Sequence, residues 1–319
     1  MKSISEVLNT MGKRIFWGGK NRVLWLKVLN QFNNLRSLLG DFLLLLAAMI
    51  WGMGYVARRI GSLEAPPFTF NGLRFLIGAV VLIPPLLIGG FKRHLRLNEV
   101  YAGIITGFCL FVGTNLQQIG LKWTDAGKAG FITGLYVVLV PIIGIFLGRK
   151  VNIFNTIGAL FALSGLVFLS PWQEATFNRG DLIMVLCSMV FAVYIILVGK
   201  FSPECSSLGF SFITFTSCGI LSLIPGLFEK SQWETINAVM LPLLYSGLFA
   251  VGIGYSLQVA AQRFTLPSHA AVIMSLEAVF AAIFGWIILK EGLSLRELIG
   301  CIFMFSGFII VQADKLKTT

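Results

Sequence analysis

Between residues 40 and 313 the chain is one apolar run after another, each about twenty residues long and separated by polar stretches such as FKRHLRLNE, GRKVN and QEATFNRGD. As a helix, a run of that length crosses the ~30 Å hydrocarbon core of a bilayer. Inside hydrocarbon every backbone N–H and C=O must find an internal partner, so only helices or a closed barrel can span. Runs such as LLLLAAMIW and GAVVLIP do not alternate apolar with polar, which argues against barrel strands. Composition agrees, with 56% hydrophobic and 12% charged residues, against about 25% charged in soluble domains. Ten spans are expected, near 40–58, 66–90, 99–121, 127–148, 152–171, 181–199, 208–228, 238–262, 267–289 and 295–313.

The second five spans repeat the first. At an offset of 141, Phe108, Gly113, Leu116 and Gln117 match Phe249, Gly254, Leu257 and Gln258. Leu135 matches Leu276 and Gly144 matches Gly285 at the same offset. One inserted residue later, Gly158, Ser164 and Gly165 match Gly300, Ser306 and Gly307. Upstream, Gly40-Asp41 matches Gly180-Asp181. The organisation read from this is a basic tail over 1–39, repeats over 40–179 and 180–313, and a short tail over 314–319. Five spans per repeat is odd, so the second copy is inverted relative to the first, an arrangement common in alternating-access transporters. The predicted fold is an all-α integral membrane protein with ten transmembrane helices as two inverted five-helix repeats.

Net charge is +11, and in such a chain it speaks to topology rather than to nucleic acid. With the N-terminus inside, sixteen Lys and Arg fall on the inner side and eight on the outer. Cytoplasmic Lys and Arg excess orients membrane proteins, so a multi-pass protein of the cell (inner) membrane with both termini cytoplasmic is expected. Residues 1–39 have no uninterrupted apolar core and cleavage site, which argues against a signal peptide. Basic residues there alternate with Trp17, Trp25, Leu26 and Phe32. That pattern suits either a helix on the inner leaflet or a partly disordered tail. The five cysteines form no CxxC pair and read as packing residues, neither disulfides nor metal ligands.

AAMIWGMGYVARR in the first span and APPFTFNGLRFLIGA in the second resemble the first two helices of EamA-type transporters of the drug/metabolite transporter superfamily. GLKWTDAGKAGFITGLYVVLVPIIGIFLGRKV resembles that family's fourth helix, and the stretch from RFTLPSHAAVIMSLEAVF onward its ninth and tenth. The resemblance covers 40–313 and implies ten helices around a central cavity that carries small metabolites, often amino acids or nucleotide-like solutes. Where the family often has Pro after the ninth-helix Glu and at the matching place of the fourth helix, this chain has Ala278 and Val137. A kink at those places is therefore expected to be displaced or absent.

Ionisable groups at membrane depth are costly unless paired or wet. Glu277, about ten residues into the ninth span, and Arg74, about eight into the second, are the two clear cases. Glu277 can titrate or bind a cationic group and Arg74 an anionic one; alternatively each is fixed in a helix-holding network with Asn71, Gln118 or backbone carbonyls. Further cavity candidates are Trp51, Tyr55, Asn71, Asn115, Gln118 with its neighbour Gln117, Tyr136, Tyr194, Tyr255 and Gln258, each with plain interhelical hydrogen bonding as its alternative. Spans five and ten, nearly free of polar residues, read as peripheral scaffold. Arg58, Arg59, Lys122 and Lys128 gather at the expected outer mouth, as an anion vestibule or as snorkelling residues. His269 aligns with Lys128, as a proton-coupling group or a polar helix start.

The expected function is a secondary carrier for a small polar metabolite such as an amino acid or nucleotide-like solute, export favoured over uptake. Expected partners are that solute and membrane lipids, with proton or exchange coupling open and nucleic acid excluded. No phosphate-binding loop and no metal or nucleophile constellation is present, so no enzyme, no cofactor and no metal is expected. A channel or lipid-handling scaffold is the first alternative and an intramembrane enzyme the remote one.

Overall fold

The structure is a computed structural model that describes residues 19–90, 94–124, 126–149, 152–169, 178–230, 233–289 and 294–317. The regular elements there are all helices. Helix α1 runs Gly19–Glu64, α2 Pro67–Val81 continuing as Ile83–Gly89, α3 Leu97–Gly120, α4 Ala126–Gly134 then Tyr136–Phe146, and α5 Ile153–Leu169. The second repeat gives α6 Arg179–Phe201, α7 Ser207–Gly226, α8 Met240–Ala261, α9 Pro267–Ser275 then Glu277–Leu289, and α10 Leu295–Lys317. Nine of these have the length and apolarity to cross a membrane; α5, with 17 residues, is shorter. The chain is an all-α, multi-pass membrane protein.

Three boundaries differ from expectation. No break separates the basic tail from the first span, because Gly19–Glu64 is one helix; residues 1–18 lie outside the described residues. α1 also continues past 58 to Glu64, so Arg58 lies six residues inside the end of the helix rather than at its end. α10 likewise runs on to Lys317, into the expected C-terminal tail.

Packing follows the repeat. α5 lies against α10, its own equivalent, and α2 against α7. The other main contacts come in equivalent pairs: α3 on α7 and α8 on α2, α3 on α6 and α8 on α1, α1 on α9 and α6 on α4. The α5–α10 contact shows the inversion directly. A Cβ on Gly158 would meet the Gly307 carbonyl at 2.9 Å, and one on Gly300 the Gly165 carbonyl at 2.8 Å. Low-numbered α5 residues thus face high-numbered α10 residues, so the equivalent helices run antiparallel. Only residues without Cβ allow this approach, the small-residue packing typical of membrane helices.

Three helices depart from a regular ladder, each near the middle of the bundle. α4 is interrupted at Leu135 and α9 at Leu276, where the amide N–H turns back to the carbonyl three residues earlier. Both repeats carry an interruption immediately before Tyr136 and Glu277, two residues ahead of Val137 and Ala278, which stand where proline was expected in the family. In α8, residues Ser246–Tyr255 are π-helical. The Trp51 indole N–H donates to the Ala250 carbonyl at 2.9 Å inside that stretch, giving the irregular backbone a side-chain partner.

Candidate functional site

A small cavity sits among α1, α3, α4, α6, α8 and α9, with about 30 Å³ open to a water-sized molecule. That is room for about two waters. Eight of its twelve lining residues are four repeat-equivalent pairs: Trp51 with Phe191, Gln117 with Gln258, Thr133 with Met274, and Tyr136 with Glu277. The cavity therefore lies on the axis relating the two halves. Arg58, Tyr194, Ile195 and Tyr255 complete it. None of the lining comes from α2, α5, α7 or α10. For α5 and α10 this fits a scaffold.

The local structure explains each placement. Trp51, Tyr55 and Arg58 recur at helical spacing on one face of α1. Gly52 lets that face approach α9 so closely that a Cβ there would lie 2.9 Å from the Glu277 carbonyl. Glu277 and Tyr136 each follow a helix interruption and meet: the Tyr136 hydroxyl donates to Glu277 Oε1 at 3.3 Å. Glu277 is 8% exposed, and a carboxylate so placed depends on neighbouring dipoles and charges. The Arg58 guanidinium lies 4.2 Å from the centre of the Tyr55 ring and donates from Nη1 to Gln117 Oε1 at 3.0 Å. Stacking on the ring face and a fixed amide acceptor hold its plane. Tyr255 is the hub of an aromatic cluster, with ring centres 4.8 Å from Trp51, 5.9 Å from Tyr194 and Phe75, and 6.2 Å from Phe215. Gln258 donates to Gln262 at 3.0 Å, and Gln262 to the Ile195 carbonyl at 3.0 Å.

Two polar side-chain pairs, equivalent across the repeat, form latches between helices away from this cavity. In one, Lys128 Nζ is 2.6 Å from Asp181 Oδ2, and the Thr124 hydroxyl donates to Asp181 Oδ1 at 3.1 Å. In the other, His269 Nε2 is 3.3 Å from Asp41 Oδ1, and the Thr265 hydroxyl donates to the same oxygen at 3.4 Å. Lys128 corresponds to His269, Asp181 to Asp41 and Thr124 to Thr265. Gly180 and Gly40 precede the two acids, and a Cβ on either would strike the facing threonine hydroxyl, at 2.4 and 2.6 Å. The pairs tie the starts of α4 and α9 to α6 and α1.

A larger cavity of about 150 Å³ lies between α4, α5 and the start of α9. Its walls include Ile142, Ile145 and Leu160, which are exposed on the apolar surface. It lies off the repeat axis and opens toward lipid, so the smaller polar cavity is the candidate site despite its size.

Residues 38–170 match the EamA-like transporter family, and residues 178–312 match it again. The chain belongs to the EamA-like transporter family. A protein of Archaeoglobus fulgidus described as an uncharacterized transporter is 32% identical over 91% of this chain and 91% of its own length. The uncharacterized transporter YoaV of Bacillus subtilis is 26% identical over 82% of this chain and 92% of its own length. A solved crystal structure is 21% identical, with a TM-score of 0.74 over 89% of this chain and 98% of that one, which shows the shared fold. These relationships place the chain among membrane transporters rather than enzymes.

In this EamA-like transporter the eleven residues expected at the site divide. Trp51, Tyr136, Tyr194, Tyr255, Gln258 and Glu277 line the cavity, and Tyr55 stacks on Arg58 beside it. Asn71 and Asn115 do not reach it. Asn71 donates to Asn115 Oδ1 at 2.9 Å and Asn115 to the Ser222 hydroxyl at 2.9 Å, which ties α2, α3 and α7 together. Arg74, 1% exposed, packs over the Phe75 ring at 5.1 Å on α2 and is not on the lining. Gln118 is buried and also off the lining, while its neighbour Gln117 takes the place. Gln117 was legible, since it is the residue that matches Gln258 at the repeat offset. Arg58 was legible as well, seven residues after Trp51 on the same helical face; it is buried at 5% exposure instead of standing in a mouth. Lys128 is latched to Asp181 rather than forming part of an open vestibule with Arg58. Thr133 and Met274 carry no sequence signal beyond their equivalence.

Proposed function

We propose that this protein is a secondary carrier that moves a small polar metabolite, such as an amino acid or nucleotide-like solute, by alternating access. The observation that carries the reading is a polar cavity on the repeat axis with an equivalent latch toward each end. In an inverted repeat, two conformations that exchange the roles of the halves open opposite mouths around one fixed site. The Lys128–Asp181 and His269–Asp41 latches are equivalent closures, so opening one and keeping the other is the exchange that the symmetry permits. With the N-terminus in the cytoplasm, as the Lys and Arg distribution favours, the lysine latch faces outward and the histidine latch inward. The cavity must widen to admit a metabolite, which suits a closed conformation between the two open ones. Glu277, hydrogen-bonded by Tyr136 on the axis, is the binding or coupling acid in this reading.

The test is counterflow in proteoliposomes with a metabolite panel, wild type against Glu277→Gln. Saturable exchange in the wild type and at least a tenfold loss in the variant at equal expression are expected, a change of about 1.4 kcal/mol. Flux that does not saturate would point to a pore. Normal transport by Glu277→Gln from pH 5.5 to 8 would remove that residue from the mechanism.

A further inference from the structure

Arg58 presents more than a buried charge. Its Nη1 is engaged by Gln117 and its plane is stacked on Tyr55. Its two remaining donor nitrogens, Nε and Nη2, have no hydrogen-bond partner among the described residues, and both are buried. Those two nitrogens form the edge through which a guanidinium donates two parallel hydrogen bonds to one carboxylate or phosphate. The groups that fix the plane use the other side of the guanidinium and leave this edge aligned.

No acceptor among the described residues is bonded to these donors. Glu277 is the one carboxylate among the lining residues, and no oxygen of it comes within 4.0 Å of Arg58 among the described salt bridges. Nearby Tyr194 brings a buried hydroxyl without a partner, which can donate or accept. Arg74 adds a second buried guanidinium whose Nε and Nη2 also lack partners, and Tyr255 lies within electrostatic reach of both arginines. Buried donors left unpaired are costly, the more so when charged. The same lining also holds acceptors, Gln258 Oε1 and Glu277, that can take a donor group.

We propose that the Nε/Nη2 edge of Arg58 binds an oxyanion, a carboxylate or phosphate, of the transported solute, which also presents a hydroxyl or ammonium group to Glu277 and Gln258. This rests on the carrier reading of the same cavity. The repeat equivalent of Arg58 is Val198, so the second half offers no matching fork and the solute binds in one orientation. A lipid headgroup is not the ligand, because the fork is enclosed among six helices.

The purified full-length protein in detergent provides the test, since a ligand raises the unfolding temperature of the state that it binds. The probes are anions paired with neutral counterparts: lactate and lactamide, phenylacetate and phenylacetamide, glycerol 3-phosphate and glycerol, with phenylalanine and phenylalaninamide as a zwitterion pair. At least one acid is expected to stabilise the wild type where its partner does not, and whether the carboxylates or the phosphate ester respond identifies the oxyanion. Arg58→Gln should abolish the shift. Arg58→Lys keeps the charge without the fork and should weaken apparent affinity at least tenfold, so the proposal stays testable if the glutamine variant fails to fold. Equal shifts from acids and their neutral partners, no shift from any probe, or an unchanged shift in a folded Arg58→Gln protein would overturn it. Anion binding without counterflow would sink the carrier reading alone; saturable flux indifferent to Arg58 would sink this inference alone.

Discussion

Removing the lysine latch should open one mouth and leave the other shut. Lys128→Met keeps the aliphatic stem and deletes the charge that lies 2.6 Å from Asp181, whose side chain is fully buried. Breaking a buried pair from one side costs about 3–5 kcal/mol. Asp181 keeps two other partners, the Asn178 amide at 2.8 Å and the Thr124 hydroxyl at 3.1 Å. The Lys128 side chain is also 17% exposed, so water screens part of the interaction. A net loss of about 2 kcal/mol is therefore expected, which shifts the closed-to-open equilibrium about thirtyfold. The reporter is Thr133→Cys in a background lacking the five native cysteines. Thr133 is buried on the cavity lining, five residues along α4 from Lys128, or about 7.5 Å by helical rise. An impermeant thiol reagent should modify it about thirtyfold faster from the Lys128 side and no faster from the other, because labelling tracks the fraction of time the mouth is open. An unchanged rate would show that the pair does not hold the mouth closed. An equal rise from both sides would show that it is not a one-sided gate.

Three further outcomes follow from the same geometry. His269→Leu removes the contact of Nε2 at 3.3 Å from Asp41 Oδ1, so labelling from the His269 side should speed up and labelling from the Lys128 side should not; equal rates in variant and wild type would refute the role. Gly165→Leu would place a Cβ 2.4 Å from Met304 and 2.6 Å from the Gly300 carbonyl, so overpacking should cost about 1–3 kcal/mol, read as a lower unfolding temperature; an unchanged value would contradict the α5–α10 contact. Cys205, in the turn between α6 and α7, is 4% exposed, and its burial pushes the thiol up to about 11, so it should stay unlabelled from either side until the protein is denatured; rapid labelling of the native protein would contradict that burial.

The helices were legible because hydrocarbon leaves so few options for a backbone, and the duplication was legible because it preserves spacing. What escaped were the ends and the register. α1 continues past Arg58 to Glu64, so Arg58 lies within the helix and is buried instead of standing at the mouth. Asn71, Arg74 and Asn115 passed as cavity residues because a membrane-depth polar side chain looks the same in sequence whether it faces a cavity or a neighbouring helix. The structure gives two of them to an amide network that ties α2, α3 and α7. Only the repeat distinguished Gln117 from Gln118, since equivalence to Gln258 marks the face toward the axis. The interruptions at Leu135 and Leu276 had no proline to announce them; their signal was only that the two positions match.

The site is built where the repeats agree in backbone and disagree in side chain. Tyr136 and Glu277 occupy equivalent positions after equivalent interruptions, yet one is a neutral donor and the other an acid. Arg58 stands opposite Val198 in the repeat, and His269 opposite Lys128. A symmetric backbone lets the two halves exchange conformations at little net cost, because each end state is nearly the mirror of the other in energy. A fully symmetric cavity would then bind a solute equally in two orientations and respond alike to both compartments. In the proposed carrier, one fork, one acid and one histidine latch on that frame break the degeneracy without disturbing the exchange. The proposal therefore assigns direction-setting chemistry to Arg58, Glu277 and His269, and to their unlike partners Val198, Tyr136 and Lys128. Reciprocal swaps at those three pairs are the substitutions most able to change which side the protein serves.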